Sequence, residues 1–230
     1  MILARLALGA AAAWGIYACG AHLLTPASVW RGPATARRIA LTFDDGPDPV
    51  WTPRVLDGLA GRGVRASFFL VGERAARAPE TVRRIVEAGH EVASHGWSHR
   101  SLWLCGPQRT ANEIARAHDV LAGLAGRAQR HFRPPWGMVN VAMFGALRRC
   151  GERCVFWSIQ PEGLRPAPAA RQVRHVLSRA HPGAIVDLHD AEGTPRAPAR
   201  LVAALPLMID GLRDGDYELV TVAELLGDRA

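Results

Sequence analysis

The sequence predicts an α/β fold: a distorted or incomplete (β/α) barrel of about seven parallel strands, preceded by an N-terminal hydrophobic helix. Three observations carry this. From about residue 35 onward, short β-rich runs alternate with helical segments. The helical segments carry recognisable start and stop signals. The unusual polar residues fall where strands give way to loops, and a parallel α/β fold gathers its active site there. An open doubly wound sheet is the alternative, but no G-x-G-x-x-G or Walker motif follows any strand, which weakens a nucleotide-binding reading.

Residues 2–24 contain a single charge, Arg5, in an otherwise apolar stretch, and Pro26 closes it. The apolar residues wrap all faces rather than one stripe, so the segment reads as a signal peptide or anchor, not as an amphipathic helix of the domain. No strong A-x-A cleavage site follows, which favours an uncleaved anchor. Residues 1–34 are read as this segment and its linker, and residues 35–230 as one catalytic domain. Its expected strands are Arg38–Phe43, Arg65–Val71, Glu91–Ser94, Gln129–Arg133, Cys154–Ile159, Ala184–Leu188 and Tyr217–Val220. Thr52-Pro53 and Pro79-Glu80 open helices between them, the second stopping at Gly89. Apolar residues at helical spacing mark Thr110–Leu124, Val141–Leu147, Ala170–Ala180 and Arg200–Leu212.

The chain has 230 residues, 49% hydrophobic and 21% charged, enough to build a core without metal or disulfide staples. Any metal would therefore serve function. The formal charge is +7 and all 28 basic residues are Arg, a pattern that codon bias produces as readily as selection for binding. The charge suits anionic envelope polymers or lipid headgroups; without a dense basic block, nucleic-acid binding has no specific support. Cysteines at 19, 105, 150 and 154 form no C-x-x-C pair, which removes zinc-ribbon and thioredoxin readings. Cys150 and Cys154 read either as a bridge in an exported protein or as small buried residues.

Four strand ends offer polar residues to one rim: Asp44-Asp45-Gly46-Pro47, His95-Gly96-Trp97-Ser98-His99, Arg133-Pro134-Pro135-Trp136-Gly137 and His189-Asp190. Neighbouring Asp44 and Asp45 would face opposite sides of a regular strand, so both serve one site only if the backbone turns, as Gly46-Pro47 permits. The four-residue spacing of His95 and His99 can place two imidazoles on one metal ion, the alternative being surface or core histidines. With one carboxylate they leave positions open for water and substrate. The chemistry implied is metal-assisted hydrolysis, one aspartate binding the ion and the other taking a proton from water.

These residues resemble a known family, the polysaccharide deacetylases with the NodB homology domain, carbohydrate esterase family four. Thr42-Phe43-Asp44-Asp45-Gly46-Pro47 resembles its first motif, His95 to His99 its H-x-x-x-H, Arg133 to Gly137 its R-x-P-aromatic-G motif, and Leu188-His189-Asp190 the end of its last. The resemblance runs from about Arg38 to Leu226. It implies Asp44 as general base, Asp45, His95 and His99 as metal ligands, Arg133 as the partner fixing Asp44, and His189 as general acid. It also implies the Trp136 N–H as an oxyanion donor, with Pro135 and Leu188 beside it in substrate binding, and a divalent cation, zinc by default, as cofactor.

Two departures stand out. The family's fourth motif carries an Asp-Trp pair that here reads Gly163-Leu164, and the leucine usual two residues before the last histidine is Asp187. In an extended strand Asp187 and His189 point to the same side, so Asp187 is expected to orient His189; the alternative is that it accepts hydrogen bonds from Arg133 instead.

The resulting expectation is an envelope hydrolase, membrane-anchored or exported, that removes N-acetyl groups from an N-acetylhexosamine glycan such as peptidoglycan. Its partners would be the glycan and, through the N-terminal helix, the membrane; no nucleic acid or protein partner is implied. The alternatives are another acylated substrate (an O-acetyl ester, a lipid-linked sugar or a small amide) and a catalytically inactive glycan-binding homologue.

Overall fold

The computed structural model describes residues 2–163, 165–191 and 196–228, so Leu164 of the altered fourth motif lies outside the described residues. The sheet is wholly parallel. Its strands are β1 (Arg38–Asp44), β2 (Ser67–Leu70), β3 (Glu91–Ser94), β4 (His131–Phe132), β5 (Arg153–Cys154), β6 (Ala184–His189) and β7 (Glu218–Val220). The order is β5-β4-β3-β2-β1-β6. β6 runs along Ile39–Asp44 of β1; on the other edge β2 takes the C-terminal half, Thr42–Asp44, and β7 the N-terminal half, Arg38–Ala40. The two ends of the sheet meet through a single bridge between Ile159 and Val186, which curls it into a distorted barrel.

Every expected strand is present, with β4 and β5 cut to two residues each. Pro134 and Pro135 have no N–H to give a neighbour, which ends β4 beside Arg133. After Cys154 the chain changes partners: Phe156 N–H donates to Val29 O and Asp187 N–H to Ile159 O, so the expected strand Cys154–Ile159 becomes a series of isolated contacts.

Helices α1 (Ile2–Ala18), α2 (Trp51–Ala60), α3 (Gly72–Arg77), α4 (Pro79–Glu87), α5 (Pro107–Ala125), α6 (Val141–Cys150), α7 (Ala169–Arg179), α8 (Ala197–Asp214) and α9 (Val222–Leu226) complete the chain, six of them matching the helical segments expected between the strands. Strand alternation sorts the layers. Ile39, Leu41 and Phe43 of β1, with Val186 and Leu188 of β6, pack outward into the core beneath the helices. Ala40 and Ile185 pack inward with Phe69, Ala93 and Val155. Thr42, Asp44, Asp187 and His189 therefore share the inner face, and register places Thr42 against Asp187 and Asp44 against His189.

α1 spans 17 residues, and among the described residues no helix is long and apolar enough to cross a membrane. Its far end docks on the barrel: Tyr17 Oη donates to Cys105 O at 3.2 Å, while Ala18 and Ala21 are buried. The stretch read as linker joins the sheet, with Val29 bridging Val155 and Trp30 stacked on Phe156 at 4.1 Å between ring centroids. All four cysteines are free thiols, Cys105 and Cys154 buried.

Candidate active site

Asp44 is the last residue of β1, and the chain turns sharply after it. Asp45 takes a left-handed conformation at φ 73°, and Arg74 Nη1 donates to its carbonyl oxygen at 2.7 Å. This turn aims two sequential carboxylates at one place, as the site requires. His99 (φ 56°) and Trp136 (φ 63°) are also left-handed. Such conformations cost bulky residues roughly 1–3 kcal/mol each, and three of them meeting at one mouth mark a site whose geometry is held against local preference.

Two imidazoles and one carboxylate converge. His99 Nε2 lies 2.8 Å and His95 Nε2 3.4 Å from Asp45 Oδ1. The three donor atoms are all within 4.8 Å of one another, a set that fits a divalent cation. His95 Nδ1 lies 2.8 Å from Arg133 O, which fixes the ring and leaves Nε2 directed at the site. Burial opposes ionisation of Asp45, but His95 and His99 outweigh it and hold its carboxyl well below the usual range.

Arg133 has no exposed surface and lies inside the barrel. Its Nη1 donates to Asp44 Oδ1 at 2.7 Å, to Thr42 Oγ1 at 2.8 Å and to Asp187 Oδ1 at 3.3 Å. Nε and Nη2 donate to the carbonyls of Val155 and Phe156. The rings of Phe69 and Trp157 flank the guanidinium, 4.1 and 5.5 Å from its central carbon. With both carboxylates and two carbonyls engaged, this buried cation is paired rather than stranded.

Asp187 spends its hydrogen bonds on Arg133 and on Gln160 Nε2, which donates to Oδ2 at 3.0 Å. Burial, then the charge of Asp44, pushes its carboxyl up. Burial opposes the charged form of His189, yet Asp187 first, then Asp45 and Asp44, raise its pKa above the ordinary imidazole value. The described hydrogen bonds of Asp187 thus follow the Arg133 alternative.

The mouth opens into a cleft of about 590 Å³ lined by Asp44, Asp45, His95, His99, Trp136, Asp187 and His189 among others. Trp136 is 55% exposed at its rim, its ring 5.2 Å from that of His99. Two sequence-designated residues lie elsewhere. Leu188 points to the opposite side of β6 from its neighbours and is packed in the outer core. Pro135 is buried and packs beneath Gly96, and Pro134 lines the cleft in its place.

Several residues at the site went unassigned in the sequence. Thr42 sits within the first motif, two residues before Asp44, so strand alternation alone could have found it. Gln160, Glu162 and Trp157 lie in irregular chain where no periodicity points to them. Asp190 accepts from Thr52 Oγ1 at 2.5 Å, and burial pushes its carboxyl up to about 7.

Comparison with known proteins agrees with this geometry. A family model described as polysaccharide deacetylase matches residues 31–155. The chain belongs to the polysaccharide deacetylase family. It is 36% identical over 200 residues to a chitooligosaccharide deacetylase of Bradyrhizobium, covering 82% of this chain and 90% of that protein. It is 35% identical over 195 residues to the peptidoglycan-N-acetylglucosamine deacetylase PgdA of Listeria monocytogenes, covering 85% of this chain and 40% of that longer protein. The fold superposes on the crystal structure of the Bc1960 peptidoglycan N-acetylglucosamine deacetylase with a TM-score of 0.83 and 31% identity, covering 88% of this chain and 94% of that one. The family's distorted (β/α) barrel is therefore the fold of this chain.

Proposed function

We propose that this chain is a metal-dependent hydrolase that removes N-acyl groups from N-acetylhexosamine units of an envelope glycan, peptidoglycan foremost. The observation that carries this reading is the β1–β6 register, which sets Asp44 against His189 directly beside the Asp45, His95 and His99 donor set. The relatives act on peptidoglycan and chitooligosaccharides by their names, which supports the same glycan class here.

Asp45, His95 and His99 would hold the cation, zinc by the preference of two imidazoles and one carboxylate; bound there, it supplies Lewis-acid polarisation of the acyl carbonyl and acidifies water. Asp44 is the general base. Arg133 occupies its Oδ1, leaving Oδ2 to accept the proton of the attacking water. His189 stands against Asp44 in the β1–β6 register and gives a proton to the nitrogen of the departing amine. The Trp136 N–H at the rim is the oxyanion donor in this scheme. Trp136 is also placed to contact the sugar.

Residues 2–24 hold the domain at the membrane, outside the cytoplasm. The apolar composition of the segment and the exposure of Trp14 and Ile16 on α1 support this. At roughly 1.5 Å per residue α1 falls short of a hydrocarbon core of about 30 Å, so attachment of this kind is shallow. Retention of the full chain on sedimented vesicles, lost on deletion of residues 2–18, tests it.

Metal content measured beside acetate release from peptidoglycan and N-acetylglucosamine oligomers tests the catalytic reading. About one zinc per chain, with release abolished by chelator and restored by zinc, is expected. A folded, zinc-loaded chain that releases no acyl group from any glycan contradicts it and favours a binding role.

A further inference from the structure

Asp187 and Gln160 bring acceptor oxygens into the lining of the cleft. A carbonyl carbon attacked by water from Asp44 and losing its amine toward His189 has its third substituent directed away from both the water and the amine. The amine carries the polymer, which requires the open rim, so the acyl substituent points inward. Asp187, Gln160 and Trp157 are among the residues that line the cleft.

Asp187 is 1% exposed and has two described donors, Arg133 and Gln160, one to each oxygen. A carboxylate offers about four acceptor positions, so capacity remains on the cleft side. Gln160 uses its amide N–H on Asp187, and its Oε1 has no partner among the described hydrogen bonds. Glu162, also at the cleft, differs: Ala167 N–H, Gln172 and Arg200 already converge on its carboxylate. The acceptors left over at the floor are thus those of Asp187 and Gln160. A bare methyl group pressed against them displaces their water and returns no hydrogen bond, an unfavourable exchange. A hydroxyl one carbon beyond the carbonyl donates to either.

Resting on the deacylase reading above, we propose that the site is specific for an N-hydroxyacyl group, N-hydroxyacetyl (N-glycolyl) being the smallest, with Asp187 and Gln160 accepting its hydroxyl hydrogen bond. The step is an ordinary hydrolysis. Oxygen of water bonds to the acyl carbon, the C–N bond breaks, the nitrogen takes a proton, and hydroxyacetate leaves with the glycan amine as the other product.

The test uses the full chain with zinc and matched N-glycolyl and N-acetyl glucosamine trimers. Wild type should show kcat/KM about 10–100-fold higher for the glycolyl trimer, the scale of one hydrogen bond to a charged acceptor. Gln160→Leu should remove most of that ratio, and Asp187→Leu should invert it in favour of acetyl. In calorimetry the inactive Asp44→Asn chain should bind the glycolyl trimer about tenfold tighter, and adding Gln160→Leu should abolish the difference. Acetate released as fast as hydroxyacetate, with the ratio unmoved by Gln160→Leu, overturns this proposal and leaves the deacylase reading standing. Release of neither acid overturns both.

Discussion

Arg133 Nη1 lies 2.7 Å from Asp44 Oδ1, a pair with almost no solvent on either side. The same nitrogen reaches Asp187, so a single buried cation serves two carboxylates. Replacing it leaves both acids without a partner in the barrel. Arg133→Met should cost about 3–5 kcal/mol of stability, the usual penalty for an orphaned buried charge, and should also abolish turnover. Arg133→Lys keeps the charge but cannot span Asp44, Val155 and Phe156 together, so the protein should fold with activity reduced at least tenfold. Denaturant unfolding and kcat on both variants check this; a Lys variant with wild-type kcat contradicts the positioning role.

In the proposed reaction the alkaline limb of the pH–rate profile belongs to His189. Its pKa is raised, so the imidazolium is fully present below about 6.5 and is lost as pH rises through the higher folded value. Activity should therefore persist above pH 6.5 and fall on the alkaline side. Asp187 is the largest contributor raising that value, and Asp187→Asn should move the alkaline limb to lower pH. A pH–rate profile unchanged by Asp187→Asn would remove Asp187 as the charge partner of His189.

Glu152 sets a pH dependence of stability far from the site. Burial pushes its carboxyl up to about 9; His118 Nδ1 lies 2.7 Å from Oε1, and Oε2 has no hydrogen-bond partner among the described residues. The unfolded chain releases this proton near 4.5 while the folded chain retains it, so this group's contribution to stability falls as pH rises between those values. Glu152→Gln should raise Tm at pH 8 by about 2–4 °C per kcal/mol gained and change it little at pH 4.5. Equal shifts at both pH values contradict the assignment.

Gly46 touches the site through packing. A Cβ there would stand 2.6 Å from both carboxylate oxygens of Asp190. Gly46→Ala must displace either Asp190 from Thr52 or the turn that presents Asp45. Zinc affinity should fall at least tenfold with the chain still folded, measured by competition with a chromogenic chelator; unchanged affinity would show that the turn absorbs the methyl group.

How much of this was legible in the sequence follows from where periodicity operates. β1 and β6 were placed to within a residue because strands buried on both faces of a parallel sheet write near-continuous apolar runs. The Asp44–His189 pairing follows from that register, so the site was legible wherever a motif ended a strand. α3 and α9, at six and five residues, are too short to show a helical period, although Thr221 and Glu224 form a capping box at the start of α9. Leu188 and Pro135 were drawn to the site by proximity in sequence, and strand alternation and the turn after Arg133 send them elsewhere. Gln160 was missed because it sits in irregular chain, and only the folded barrel brings it to Asp187.

The most direct test of the central claim compares wild type with Asp44→Asn on purified peptidoglycan, recording acyl release and bound zinc together. The account predicts release lowered about 10²–10⁴-fold with zinc content unchanged, the range for loss of a general base. Release at the wild-type rate from the zinc-loaded Asn variant would contradict it.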